Sequence, residues 1–413
     1  MKIKAGNHGK RKFYDGALQG VTYLSSGISV IVLVALFVFI FTRGWSSINM
    51  DLIMNNYWSE NYTVETISQS DGQMFERPAD LSEEAYFSEK WGIAFVDHVD
   101  AHKDEMILVE YIDENSPLYA LSNVSVRNNP QDFTLQVGMQ VARLQYHDAQ
   151  GNVGLGGGIM GQTAEQLAQT LDDNAATVDS MYIQTTGGGI RGSIISTVYL
   201  LLVSMVIALP IGIASAVYLN EYAKKSKFNM LLRSGIETLT GVPSIVFGLM
   251  GVTVLFPVTQ VFGATTTSIL LGGLTMAIIL LPTIIRSTEE ALLVVPQHLR
   301  DASLSVGANQ SQTIFKIVLP CAVPGILTGV LLGIGRVIGE SAALIYTMGT
   351  FINDSPTLLS QGTSLAVQIW SIMSGEQPNY ELACAISIII LVFVLILNFA
   401  VKVISKRFSK AWY

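Results

Sequence analysis

The stretch from Val295 to Pro320, VPQHLRDASLSVGANQSQTIFKIVLP, decides how the whole chain is read. Pro296 suits a first helical position, where its missing N–H is not needed and its φ is already helical. The pattern predicts a short helix to Val306. Gly307 suits the left-handed position that ends such a helix, which a residue with a Cβ adopts only at a cost. A second short helix is expected next, limited by Pro320. Two short helices about a glycine cannot cross a bilayer, which takes about 20 apolar residues in one run. The segment is expected to lie on a face and to offer an exposed apolar edge to another protein's groove.

The chain on either side is apolar. Half of the 413 residues are hydrophobic and 14% are charged, against about 25% charged in an ordinary soluble domain. Six spans are predicted, at roughly 20–42, 192–219, 234–258, 267–287, 321–350 and 380–404. The basic N-terminus (Lys2, Lys4, Lys10, Arg11, Lys12) resembles the start of a signal peptide. The apolar run after it exceeds the roughly 7–15 residues of a signal core, and no small-residue cleavage pattern follows, so a retained span is expected. The positive-inside rule then puts residues 1–19, the loop of Lys224, Lys225 and Lys227, the segment with Arg300 and Lys316, and the basic end of the chain with Lys402, Lys406, Arg407 and Lys410, its tail at 405–413, in the cytoplasm.

Between the first two spans lies a segment of different character. From Trp45 to Ile190 there are 5 Lys+Arg against 22 Asp+Glu, a net charge of −17, while the rest of the chain carries +9. The topology puts residues 43–190 outside. "WGIAFVDHVD", "EMILVEYI" and "VDSMYIQT" read as strands, "TLQVGMQVARLQYHDAQGNV" as a strand pair or one long bent strand, and "TAEQLAQTLDD" as a helix capped by Thr163. A small α+β domain is expected. Cys321 and Cys384 both lie in or beside apolar stretches, so the acidic segment has neither disulfides nor Cys-based metal sites. No basic patch on a soluble face points to nucleic acid. "TTGGGIRG" lacks the Lys-Ser/Thr of a phosphate loop and reads as a flexible junction.

Charges inside spans are costly and normally face a polar interior. In "GIGRVIGESAALIYTMG", residues 333–349, Arg336 and Glu340 stand four apart, which on a continuous helix is one face, and so do Gly335 and Gly339. An arginine fork matches a tetrahedral oxyanion, and a neighbouring carboxylate would orient the fork and weaken its hold so that the anion can leave. A purely structural ion pair is the alternative. Arg286, in "ILLPTIIRSTEEAL", lies near the end of its expected span, where a long side chain reaches the interface at little cost. No P-loop sequence occurs, so no ATP site is expected in this chain, nor a metal site, and no nucleophile–base constellation suggests an enzyme.

The first segment quoted resembles the EAA loop of ABC-importer permeases: Glu-Ala-Ala, three residues, glycine, nine residues, then Ile-x-Leu-Pro. It stands here as Asp301-Ala302-Ser303, Gly307, Ile317, Leu319 and Pro320, with Asp301 for the usual Glu and Ser303 for Ala. An ordinary amphipathic connector would not need that spacing. "GGIRGSIISTVYLLL", "ALPIGIASAVYLNEYA", "ETLTGVPSIVFGL", "LPTIIRSTEEAL", "GRVIGES" and "SLAVQIW" extend the likeness over residues 187–404. Together they resemble the PstA group of phosphate-import permeases, with the MetI-like fold.

The resemblance implies an all-α polytopic protein of the bacterial or archaeal cytoplasmic membrane. It would have six transmembrane helices, a permease core at 191–404 and coupling helices at 296–320 that meet an ATPase through Asp301 to Pro320. The small α+β insertion would stand outside. The resemblance also implies a PstC-type permease partner, two PstB-type ATPases that hold ATP and Mg, and an external phosphate-binding protein. It implies that Arg286, Arg336, Glu340 and Ser341 line the anion path; Ser341 replaces a commoner Thr and keeps the hydroxyl. Group members have a short external loop where this chain has its acidic segment, so the resemblance says little of 45–186. Sulfate, molybdate and tungstate share phosphate's size and geometry and stay open, as does a membrane-anchored sensor that does not transport.

Overall fold

The computed structural model describes residues 8–410 except 71, 73, 100–104, 126–130, 186, 225 and 376–377. Lys2, Lys4 and Lys225, three of the basic residues used to orient the chain, lie outside the described residues, as do the side chains of Lys10, Arg11, Arg407 and Lys410. Six described helices are long and apolar enough to cross a membrane: Tyr14–Ser47, Arg191–Tyr222, Ser244–Val261, Ile269–Val294, Gln310–Gly339 and Tyr380–Lys406.

Helix α1 (His8–Gly44) packs only near its end, and the apolar window within it buries no residue in this chain. A short turn and helix α2 (Met50–Met54), capped by the Asn49 side chain on the Leu52 N–H at 2.7 Å, lead into the inserted segment. That segment holds nine strands: β1 (Asn61–Thr66), β2 (Tyr86–Ser88), β3 (Ile93–Val99), β4 (Glu105–Ile112), β5 (Ala120–Asn123), β6 (Gln131–Thr134), β7 (Gln140–His147), β8 (Val153–Gly156) and β9 (Thr177–Gln184). They form one antiparallel sheet in the order β2-β3-β4-β7-β9-β1-β5-β6, with β8 on β7. Helix α3 (Ala164–Asp173) has the expected Thr163 cap, completed by Gln166 as a capping box. Its Leu167 and Leu171 bury fully with Trp91, Phe95, Leu144 and Ile183, and the Trp91 indole donates to the Leu171 carbonyl at 3.1 Å.

The entering strand β1 pairs with the leaving strand β9, Asn61 opposite Gln184. The two connections below them zip together through Thr185 N–H to the Glu60 carbonyl and Gly188 N–H to the Tyr57 carbonyl. A domain spliced between two helices needs its ends side by side, and this pairing provides it. The insertion is α+β as expected, and chiefly sheet: nine strands with helix α3 on them. β1, β2, β5 and β6 were not anticipated: β2, β5 and β6 have only three or four residues, too few to show alternation, and the six of β1, NYTVET, bring only Tyr62 and Val64 as apolar residues.

The remaining helices are α4 (Arg191–Val217), α5 (Lys227–Thr240), α6 (Ser244–Met250), α7 (Phe256–Val261), α8 (Ile269–Val294), α9 (Gln297–Ser305), α10 (Gln310–Thr313), α11 (Leu319–Gly339), α12 (Ala342–Thr347), α13 (Leu365–Ser374) and α14 (Tyr380–Lys410). Helix α8 is the centre, packed on α4 and α11 around Leu200, Met276, Leu280, Ile284, Val337 and Leu344.

Three expectations are corrected. The third span is not 234–258: Gly241 ends α5, Pro243 precedes Ser244, and the apolar helix runs 244–261, because proline bars the residue before it from the helical region. The fifth span does not reach 350 but stops at Gly339, where Glu340 turns to extended backbone (φ −79°, ψ 128°). The second short helix does not stop at Pro320. Residues 310–339 are continuous, because a π-turn at Ile314–Val318 widens the helix just before the proline, whose ring would otherwise crowd the carbonyl of Lys316.

Candidate functional site

The turn between α8 and α11 is built as its sequence dictates. Pro296 is the residue just before α9, one place earlier than expected. At the other end Gly307 has φ +91°. Its N–H donates to the Leu304 carbonyl at 3.0 Å, and that of Ala308 to the Ser303 carbonyl at 3.2 Å, the paired bonds of a Schellman stop. Asp301 and Ala302 are exposed, and Asp301 accepts only from the Gln297 amide at 3.1 Å among described side chains. Ser303 is half-buried and shares a hydroxyl contact with Thr313 at 2.9 Å, which ties α9 to α10. Ile317, Leu319 and Pro320 are half-buried in the continuous helix.

Around this turn apolar side chains stand in the open: Leu293, Val294, Leu304, Val306 and Phe315. With Glu221, Pro296 and Gln310 several of them border a groove of about 710 Å³. An edge of this kind, rimmed by polar residues, is the form of a protein contact.

The turn is anchored by a pair that sequence reading missed. Arg300 donates to the Glu221 carboxylate at 2.9 Å and to the carbonyls of Val295 (2.7 Å) and Leu292 (3.0 Å). The two side chains are only 13% and 10% exposed, and removing one member of such a pair costs about 3–5 kcal/mol. Glu221 is one carboxylate at the end of an apolar run, and charges at span ends are ordinary; nothing in the pattern links it to an arginine 79 residues on.

The charged residues of the spans lie elsewhere. Arg336 is half-buried in the last turn of α11, where a cation faces the negative end of the helix. Glu340 lies past the end of that helix, so the two do not share a helical face, and among the described residues no ion pair joins them. Glu340 instead accepts from the Ala343 N–H at 3.3 Å, at the start of α12, with Ser341 as the cap position. Gly335 and Gly339 have open space about their Cα atoms within this chain.

Arg286 is exposed and pairs with Glu290 one turn on, at 3.3 Å. Helix α8 continues to Val294, so Arg286 sits two turns inside the helix rather than at its end. The packing of Gly329 on Ser287 sets the register between α8 and α11. Arg336 is seven residues beyond Gly329, hence about 10 Å from the level of Arg286 along the axis. The structure spaces the two arginines along the bundle and does not bring them together. A second unanticipated pair, Arg233 with Glu289 at 2.8 Å, joins α5 to α8 beside Arg286.

The family profile described as "binding-protein-dependent transport system inner membrane component" matches residues 208–410. The probable ABC transporter permease protein YqgI of Bacillus subtilis is 35% identical over 231 residues, 52% of this chain and 77% of that protein. The phosphate transport system permease protein PstA of Yersinia pestis is 34% identical over 54% of this chain and 74% of its own length. PstA 2 of Mycobacterium tuberculosis is 33% identical, over 55% and 75%.

Proposed function

This chain belongs to the family of binding-protein-dependent transport inner membrane components, and from that premise we propose that it is the PstA-type half of an ATP-driven phosphate importer. It is a multi-pass membrane permease of an ABC importer. The further reading assigns it phosphate as cargo, a PstC-type permease as its other half, a PstB-type ATPase dimer under the turn 296–320, and a phosphate-binding protein outside. Both termini and the turn face the cytoplasm, and the insertion faces outward. ATP and Mg are held by the ATPase and not by this chain.

The observation that carries phosphate is the identity to proteins named as phosphate permeases over three quarters of their length. The geometry supports it. Arg336 and Arg286 are spaced along the bundle as successive cationic stations, and a guanidinium offers the planar fork that a tetrahedral oxyanion fits. Glu340 and Ser341, just past Arg336, bound the upper station; the carboxylate repels the anion and keeps its hold short-lived. The open face at Gly335 and Gly339 is where the second permease closes the path. Val306 and Leu304, raised by the Gly307 turn, seat in the ATPase.

The reading is tested by ATP hydrolysis in the reconstituted complex. Phosphate-loaded binding protein should stimulate it, and sulfate- or molybdate-loaded protein should not. Equal stimulation by another oxyanion overturns the assignment of cargo.

A further inference from the structure

Helix α4 ends in a π-turn, Tyr218–Tyr222, rather than an ordinary α-helical turn. The last carbonyls of a helix have no partners within it. Here side chains distant in sequence take them. Arg233 of α5 donates to the Leu219 carbonyl at 2.7 Å while holding Glu289 of α8. Gln310 donates to the Glu221 carbonyl at 2.8 Å, and the Tyr222 hydroxyl lies 3.0 Å from that of Ser311. Arg300 grips the Glu221 carboxylate. One wide turn is therefore held on one side by the docking turn 295–320 and on the other by α5 and, through Arg233, by α8.

We infer that the π-turn 218–222 is the mechanical joint between the docking turn and helices α5 and α8, with Glu221, Arg300 and Arg233 as its positioning residues. The inference rests on the reading of 296–320 as the ATPase dock. Two routes leave that dock. Residues 310–339 are one helix, so a push on α10 reaches Arg336 directly. Helix α8, which carries Arg286, is joined to α9 by Val295 and Pro296, a short link of extended backbone that the joint uses as its hinge. Arg300 spans this hinge to the Leu292 carbonyl and holds Glu221 as well. A buried, hydrogen-bonded ion pair is not pulled apart without stranding a charge, so the end of α4 follows α9, and the bonds of Arg233 to the Leu219 carbonyl and to Glu289 carry the shift on to α5 and α8. π-turns are found often at functional sites. Without the joint α11 would move while α8 lagged, and ATP would be hydrolysed with the two cationic stations out of register.

The test uses the complete importer, this chain with its partner chains in liposomes, and reads phosphate moved per ATP hydrolysed. Glu221→Gln keeps the shape and removes the charge. It should assemble and hydrolyse ATP, with the ratio lowered about tenfold, within the range usual for coupling between two sites. Glu221→Asp, which keeps the charge, should retain much of the ratio. A merely structural role would lower complex yield and hydrolysis together and leave the ratio unchanged. Gly307→Val is run in parallel. If it abolishes transport while Glu221→Gln keeps the wild-type ratio, the joint is wrong and the dock stands. If Gly307→Val transports normally, the dock falls and the joint with it. Should Glu221→Gln fail to assemble, the ratio is read in Gln310→Leu, which removes one exposed amide from the π-turn; a several-fold loss supports the joint and a wild-type ratio overturns it.

Discussion

The carboxylate of Asp354 accepts the backbone N–H groups of both Tyr57, at 2.6 Å, and its neighbour Trp58, at 3.1 Å. The Trp58 indole in turn donates to the Ile352 carbonyl at 2.7 Å and its ring stacks on Phe351. The insertion is thereby fastened to the loop after α12, in the stretch between α11 and α13 whose first residue is Glu340. Thr347 and Ser360 on this stretch accept from the first backbone N–H groups at the start of α8.

Asp354→Ala should loosen the clasp. Hydrogen bonds to a charged group are worth roughly 1.5–3 kcal/mol each. In the purified protein, proteolysis in the connections 55–60 and 184–190 should quicken while the helical bundle keeps its melting temperature. An unchanged cleavage rate would show that the zipped connections hold the insertion unaided.

Trp91 is fully buried between the sheet and α3. Trp91→Ala should destabilise the insertion by about 3–5 kcal/mol, seen as an early unfolding step in calorimetry of the whole chain. The membrane helices should still melt at the wild-type temperature, because the insertion's core cluster shares no residue with theirs.

Gly307→Val forces a β-branched residue into a left-handed conformation, a strain of about 1–3 kcal/mol. A Cβ added there meets nothing within 4 Å, so the strain lies in the backbone. The complex should assemble and uptake should be largely lost. Normal uptake with normal assembly would remove the turn from the transport cycle.

Much of the bundle was legible because a span announces itself by length alone. The Schellman stop at Gly307 was legible too, since only glycine suits that position freely. Breaks within helices were harder. Gly241 and Pro243 break the chain between two helices, whereas Pro320 and Pro324 are carried by one that widens ahead of them, and sequence does not distinguish a stop from a π-turn. The spacing of Arg336 and Glu340 suggested one helical face; the chain turns at Gly339 and the spacing loses that meaning. Glu221–Arg300 and Arg233–Glu289 were hidden because tertiary partners far apart in sequence leave no local pattern. The short strands of the insertion went unseen for a similar reason: pairing, not composition, makes them strands.

On the proposed outward orientation, the net −17 of the insertion would repel a phosphate anion within a Debye length of about 8 Å, which favours a place beside the mouth of the path, where it could dock the binding protein or a matching insertion in the partner permease. Replacing residues 50–184 by a short flexible linker should raise the concentration of loaded binding protein needed for half-maximal uptake. Asp354→Ala in the intact chain separates loss of the clasp from loss of the domain. An unchanged half-saturation in the deletion would exclude docking.

The most direct measurement is accumulation of labelled phosphate in liposomes holding the complete importer, ATP and loaded binding protein, compared between wild type and Arg336→Gln. Wild type should accumulate phosphate only with ATP. The variant should insert normally, since Glu340 keeps its contact with Ala343. Its uptake should fall at least about tenfold, the worth of one hydrogen bond to a charged group. Arg336→Gln with Glu340→Gln should stay as low. Wild-type uptake in the double variant, or no ATP-dependent accumulation in the unaltered complex, would contradict the account.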